Sequence, residues 1–144
     1  MGVLRTYPLQ QVFDCFFEDF SVKMGSAIFV TRNAAANFTR YARQTPSAIN
    51  NETFCIFTLT PGNYTFTLLY GVSSAGGIAT VRINGSVVAT IDTYASTTTL
   101  TLAQGFFYSV MNNRPHTLSI VIASKNAAST GYDFYLTRVS AKLA

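Results

Sequence analysis

The stretch NYTFTLLYGVSSAGGIATVRINGSVVATI, Asn63 to Ile91, decides the fold. Tyr64, Phe66, Leu68 and Tyr70 fall on one face while Thr65 and Thr67 take the other, the period of two that a half-buried strand requires. Gly71 to Gly77 is a loop of small residues whose glycines can take positive backbone dihedrals. Ile78 to Ile83 alternates again, Asn84-Gly85 is a strong hairpin signal, and Val87, Ala89 and Ile91 continue the alternation on the return strand. The second and third strands are therefore antiparallel neighbours.

Outward from this stretch the same grammar recurs. Downstream, Asp92 to Ser96 leads into Thr97 to Leu102, with threonines outward and leucines inward, and Phe106 to Met111 reads as another strand, or a strand with a bulge. Asn112 to Pro115 breaks the pattern, His116 to Ala123 resumes it, and a second small-residue loop, Lys125 to Gly131, precedes a terminal strand from Tyr132 to Val139. Upstream, Thr53 to Leu59 is dense in strand formers and closes on Pro61-Gly62. Thr45 to Asn51 marks a loop, and Ala27 to Thr31 a short strand. The alanines between Arg32 and Arg43 would tolerate a helix, but Asn33, Asn37 and Thr39 weaken it and Arg40 to Arg43 equally fits a strand lip. Gln11 to Phe20 satisfies both helical spacing and alternation and is taken as a strand.

Eight or more short strands without a convincing long helix make an all-β protein, and a jelly-roll-like antiparallel β-sandwich is the natural size match. The 144 residues amount to a single domain, 1–144, with the jelly-roll-like core over 62–140 and less sharply defined strands over 1–60.

Composition narrows the function classes. Charged residues make up 11% of the chain, against about 25% in an ordinary soluble domain, so the folded monomer is expected to expose apolar area that a homo-oligomer would cover. The ten basic residues are spread from Arg5 to Lys142 without a stripe, which argues against nucleic acid as a partner. No apolar run reaches the roughly 18 residues of a membrane span, so no membrane insertion is expected. The first twenty residues have no continuous apolar region of the signal-peptide kind. Cys15 and Cys55 lie in apolar strand contexts that suit buried thiols better than a disulfide.

Catalytic chemistry finds little to stand on. His116, the single histidine, opens an apolar strand and reads as a structural hydrogen-bonder. Cys15, Cys55 and His116 have no metal-ligand spacing, Ser73 and Ser74 lack the nucleophile elbow, and Asp14, Glu18 and Asp19 lack the turn residues of a calcium loop. A glycosidase needs two carboxylates, and Asp92 and Asp133 are the only acids of the C-terminal half, each with a plainer reading as a turn or solvent-facing residue. A non-enzymatic protein without metal or cofactor is expected. Four glycosylation sequons, at Asn37, Asn51, Asn63 and Asn84, are as expected by chance in a chain rich in Asn and Thr.

Sugar binding asks for an aromatic face with planar hydrogen-bonding groups around it. Loops on a rigid scaffold are the usual place for it, which singles out Arg82, Asp92, Tyr94, Asn112, Arg114, Tyr132 and Asp133 as candidate ligand-binding residues. The Gly71–Gly77 loop has too little side chain to hold a ligand alone and reads as a spacer or a close-packing surface.

The order Gly62-Asn-Tyr-Thr-Phe, Gly77-Ile-Ala-Thr-Val-Arg-Ile-Asn-Gly85, Ile91-Asp-Thr-Tyr94, His116-Thr-Leu-Ser-Ile and Asn126-Ala-Ala-Ser-Thr-Gly-Tyr132 resembles the pattern of bacterial and phage carbohydrate-binding jelly rolls. It departs from that pattern in having Asn84 for the usual aspartate and no tryptophan, and the first sixty residues match no part of it. The low charge and small polar loops also resemble the receptor-binding heads of viral and phage fibres. These resemblances imply a homotrimer at a virion surface, or an extracellular protein, that binds a host-surface glycan or receptor by multivalent attachment. The alternative is a structural virion protein, a minor capsid or decoration subunit, whose apolar surface serves assembly.

Overall fold

The structure is a computed structural model that describes the backbone of residues 3–7, 10–16, 21–24, 27–34 and 37–44, the side chain of Phe13, and residues 49–144, of which 100 and 101 by backbone alone. Twelve strands follow in chain order: β1 (Val3–Tyr7), β2 (Gln10–Phe16), β3 (Ser21–Met24), β4 (Ala27–Ala34), β5 (Asn37–Gln44), β6 (Glu52–Phe57), β7 (Gly62–Val72), β8 (Gly77–Ile83), β9 (Ser86–Asp92), β10 (Thr99–Val110), β11 (His116–Lys125) and β12 (Tyr135–Leu143). No helix occurs among the described residues. The chain is an all-β, jelly-roll-like sandwich of two antiparallel sheets.

In the first sheet β12 is the hub. It pairs with β7 along one side and with β2 and β5 in succession along the other, with β1 and β4 beyond them and β10 outside β7. The second sheet has the order β3-β6-β11-β8-β9. Because side chains alternate across a strand, each sheet turns one set inward. Tyr64, Phe66 and Leu68 from β7 are fully buried in one cluster with Val81 and Ile83 from β8 and Leu118, Ile120 and Ile122 from β11. Phe57 ties the two layers by meeting Phe66 edge-on at 5.5 Å, and within the first sheet Phe66 stacks on its cross-strand partner Phe106 at 5.2 Å. Each such side chain contributes about 1.5–3 kcal/mol by leaving water, so the layer contact is the main source of stability.

The Asn84-Gly85 hairpin forms as expected, with φ of 51° and 85°, the paired left-handed residues of a type I′ turn. Three expectations need correction, and the reading left open between helix and strand at Arg32–Arg43 resolves to strand. Thr97–Leu102 and Phe106–Met111 are not two strands but one, β10, with its irregularity between Thr99 and Leu102. Gly105 passes within it because a side chain there would touch only the Phe66 carbonyl, at 3.7 Å. The Arg32–Arg43 segment forms the β4–β5 hairpin and no helix, pairing having overridden alanine's propensity. The last strand starts at Tyr135 and runs to Leu143, because residues up to Asp133 are held against the β7–β8 turn, where Gly76 bridges Asp133.

The glycines of the 71–77 loop, finally, do not take positive φ; among described glycines only Gly85 does. They are there for close approach, since a Cβ at Gly76 would run into the Thr93 carbonyl. This is the close-packing role expected of the loop. Cys55 is a buried thiol. The side chains of Cys15, Asp14, Glu18 and Asp19, on which a disulfide or a calcium loop would turn, lie outside the described residues, as does most of the Thr45–Asn51 loop.

Candidate functional site

The seven candidate residues do not form one site. Asn112 and Arg114 precede β11, whereas Tyr132 and Asp133 follow it, and that strand's ten residues set the two groups roughly 30 Å apart. Asp92 and Tyr94 belong with Tyr132 and Asp133. Arg82 lies with neither group, on the outward face of the second sheet.

At the end that holds Tyr94 and Tyr132, three connections are laced together by backbone hydrogen bonds. Ser73 N–H donates to Thr93 O at 3.0 Å, Gly77 N–H to Asp133 O at 2.8 Å and Asp133 N–H to Ala75 O at 2.8 Å. Side chains add to the lacing: the buried Thr93 hydroxyl donates to Gly77 O at 2.6 Å and Ser129 Oγ donates to Gly76 O at 2.8 Å. The candidate side chains serve the same purpose. Asp92 accepts from Tyr94 N–H at 3.0 Å with Oδ1 and from Asn126 Nδ2 at 2.9 Å with Oδ2, so both carboxylate oxygens hold loops. Asp133 is 2% exposed, not solvent-facing, and the Tyr135 hydroxyl lies 3.5 Å from its Oδ2. Tyr132 is half-buried, and one face of its ring lies under the Lys125 ammonium, 5.2 Å from the centroid.

The opposite end is organised by Asn84 and His116. Thr117 N–H can only donate, and it donates to Asn84 Oδ1 at 3.0 Å, which fixes the amide's orientation. Asn84 Nδ2 therefore donates to His116 Nδ1 at 2.8 Å, and His116 Nε2–H donates to Asn112 O at 3.2 Å. The imidazole is 4% exposed and stacks on Phe57 at 5.3 Å. His116 is thus a structural hydrogen-bonder, as its position at the head of an apolar strand suggested. Asn112 spends its Oδ1 on Arg114 N–H at 3.0 Å, and the Arg114 side chain is exposed, as is that of Asn113.

The third location has the shape of a site. On the outward face of the second sheet an open cleft of about 450 Å³ is lined by Glu52, Phe54, Arg82, Asn84, Thr117 and Ser119. Strand register explains it. Phe54 of β6 lies opposite Ser119 of β11, and Ser119 lies opposite Arg82 of β8. Phe54 and Arg82 are thus two strands apart, about 10 Å between backbones, with a small serine as the floor between them. The Nε of Arg82 is buried and has no hydrogen-bond partner.

Of the residues that line this cleft, Arg82 is among the candidates singled out from the sequence; Glu52, Phe54, Asn84, Thr117 and Ser119 are not. A signal for Phe54 existed: in Glu52-Thr-Phe-Cys-Ile-Phe57 apolar residues occupy both parities, so if Cys55 and Phe57 face the core, Phe54 and Ile56 must face out. Among the described residues no group of three His, Cys, Asp or Glu side chains gathers to hold a metal. Burial pushes the Tyr70 phenol above the ordinary tyrosine range.

No protein-family model and no curated protein matches the chain. Solved structures do. The chain is similar to part of a Paenibacillus xanthan lyase, with a TM-score of 0.67 and 20% identity, over 88% of this chain but only 12% of the lyase. It is similar to a family 35 carbohydrate-binding module from Paenibacillus barcinonensis, with a TM-score of 0.63 and 13% identity over 90% and 96% of the two chains. A carbohydrate-binding module of the Cellvibrio mixtus lichenase 5A, solved with cellotriose, gives a TM-score of 0.59 and 13% identity over 91% and 96%. At these identities the likeness is one of fold.

Proposed function

We propose that this chain is a non-catalytic carbohydrate-binding jelly roll that seats its ligand in the cleft between Phe54 and Arg82. The observation that carries the reading is the register row Phe54–Ser119–Arg82, an aromatic ring and a hydrogen-bonding fork facing each other across a low floor. A pyranose needs those two elements: apolar ring carbons against an aromatic face, hydroxyls toward planar polar groups. The cellotriose held by the similar Cellvibrio mixtus module supports the reading. The loops around Tyr94, Arg114 and Tyr132 remain candidates for contacts with a longer ligand, at either end of the sandwich.

We extend the reading to attachment: a homotrimer, carried at a virion surface or outside the cell, that meets a host glycan with several weak sites at once. The exposure of Phe107 (78%) and Met111 (80%) supports self-association. The same two residues favour the second reading, an assembly subunit of a virion that binds no glycan. A glycan array separates the two. Reproducible binding that weakens about tenfold in Phe54→Ala, the loss of one ring platform, supports the first; a blank array refutes it. A solution mass of one 15.7 kDa chain at micromolar concentration would refute the oligomer.

A further inference from the structure

We infer that the cleft selects saccharides bearing a carboxylate, with the charged group seated on Arg82; this rests on the glycan-binding reading of the cleft. The guanidinium sits half-buried on a sheet face, and its Nε–H is buried without an acceptor. Its register neighbours cannot supply one of matching charge: Ser119 on one side offers a hydroxyl and Val87 on the other is apolar. Glu52 lines the same cleft but lies one strand beyond Ser119 and a row away, opposite Val121, and it already has a partner. A half-buried guanidinium with one unsatisfied N–H and no carboxylate beside it is under-compensated, and an anion that reaches its open Nη edge recovers part of that cost on binding.

The fork's geometry chooses the ligand. The two Nη–H groups at a guanidinium's tip point the same way and match the two oxygens of a carboxylate, each accepting one proton. A neutral sugar hydroxyl offers one acceptor at a time and leaves the charge uncompensated. The rest of the cleft fits the rest of an acidic pyranose: Phe54 faces the ring carbons, and the Ser119 and Thr117 hydroxyls lie on the floor and rim for ring hydroxyls. Asn84 takes no part, because both ends of its amide are spent on His116 and Thr117.

The test is a titration of the ¹⁵N-labelled chain, followed by NMR, with oligomers of galacturonic acid, with neutral oligomers of glucose, and with acetate alone. The acidic oligomers are expected to shift the amide signals of Phe54, Arg82 and Ser119, to bind at least tenfold more tightly than the neutral ones, and to weaken as salt rises from about 50 mM to about 500 mM. Arg82→Gln is expected to abolish the preference, and Arg82→Lys, which keeps the charge but not the fork, to recover it only in part. The mapping on the unaltered chain stands even if a variant folds poorly. Neutral oligomers that bind the cleft as tightly as acidic ones would overturn the inference while leaving the glycan-binding reading intact. Acetate that shifts the same signals as strongly as the oligomers would reduce the cleft to a simple anion site and overturn it. Silence from every saccharide would remove both readings together.

Discussion

Replacing Asn84 by alanine tests the hairpin and the histidine together. Asn84 sits at φ 51°, and an alanine there carries the left-handed penalty of about 1–2 kcal/mol that asparagine largely escapes. The same change removes the Nδ2 donor from His116 Nδ1, and that ring is 4% exposed, so the acceptor is left dry at a further cost of about 1–3 kcal/mol. Thr117 N–H also loses its acceptor, but Thr117 is exposed and water replaces it. The sum is a loss of about 2–5 kcal/mol, read as a lowered midpoint in equilibrium urea unfolding. Asn84→Gly separates the parts, because it removes the backbone strain and keeps the lost donor, and it should recover about 1–2 kcal/mol relative to alanine. Asn84→Asp keeps the Thr117 bond and turns an oxygen toward His116, favouring a proton on Nδ1 beside the one that Nε2 donates to Asn112 O, which imidazole ¹⁵N shifts report directly. An alanine variant as stable as the original chain, or an original chain already protonated at Nδ1, would refute the network.

Two further outcomes follow from the packing. Gly76→Ala drives a Cβ into the Thr93 carbonyl, a backbone atom that cannot yield without unlacing the loops, and should lower stability by about 3 kcal/mol in the same unfolding assay; an unchanged midpoint would show that the turn is not close-packed. Tyr70 is 8% exposed, and its burial raises the phenol's pKa. Above about pH 10 the unfolded chain then releases a proton that the folded chain keeps, so stability falls as pH rises from there toward the folded value. Tyr70→Phe should flatten that slope, and phenolate absorbance should show one tyrosine ionising late; a slope identical in both chains would refute the assignment.

The fold was legible because its signals are local. Tyr64, Phe66, Leu68 and Tyr70 alternate within one strand, and Asn84-Gly85 specifies its turn from two residues, so neither depends on distant parts of the chain. What local patterning misses is register. Gly105 reads as a break between two strands, and only the pairing of Ala103, Gln104 and Gly105 with Leu69, Leu68 and Thr67 makes β10 continuous. The cleft is hidden for the same reason: Phe54, Ser119 and Arg82 stand far apart in sequence and come into one row through two separate strand pairings. Asp92 and Asp133 mislead in the opposite direction. Their sequence contexts suggest exposed acceptors, yet one spends both oxygens on neighbouring loops and the other is buried.

That contrast bears on where this sandwich can bind. Loops usually carry the ligand on a jelly roll because they can vary and adapt. Here the connections at 73–76, 93–98 and 126–134 are tied to one another by at least four backbone hydrogen bonds, so reshaping them around a ligand would first break bonds already made. The outward face of the second sheet carries no such cost. Phe54, Ser119 and Arg82 stand on three hydrogen-bonded strands whose inward residues, Cys55, Leu118, Ile120, Val81 and Ile83, are fixed in the core. A site on such strands is organised before its ligand arrives and loses little entropy on binding. The rigidity that disqualifies the loops as an adaptable site is therefore what qualifies the sheet face, and Arg82 is the candidate residue that stands in its cleft.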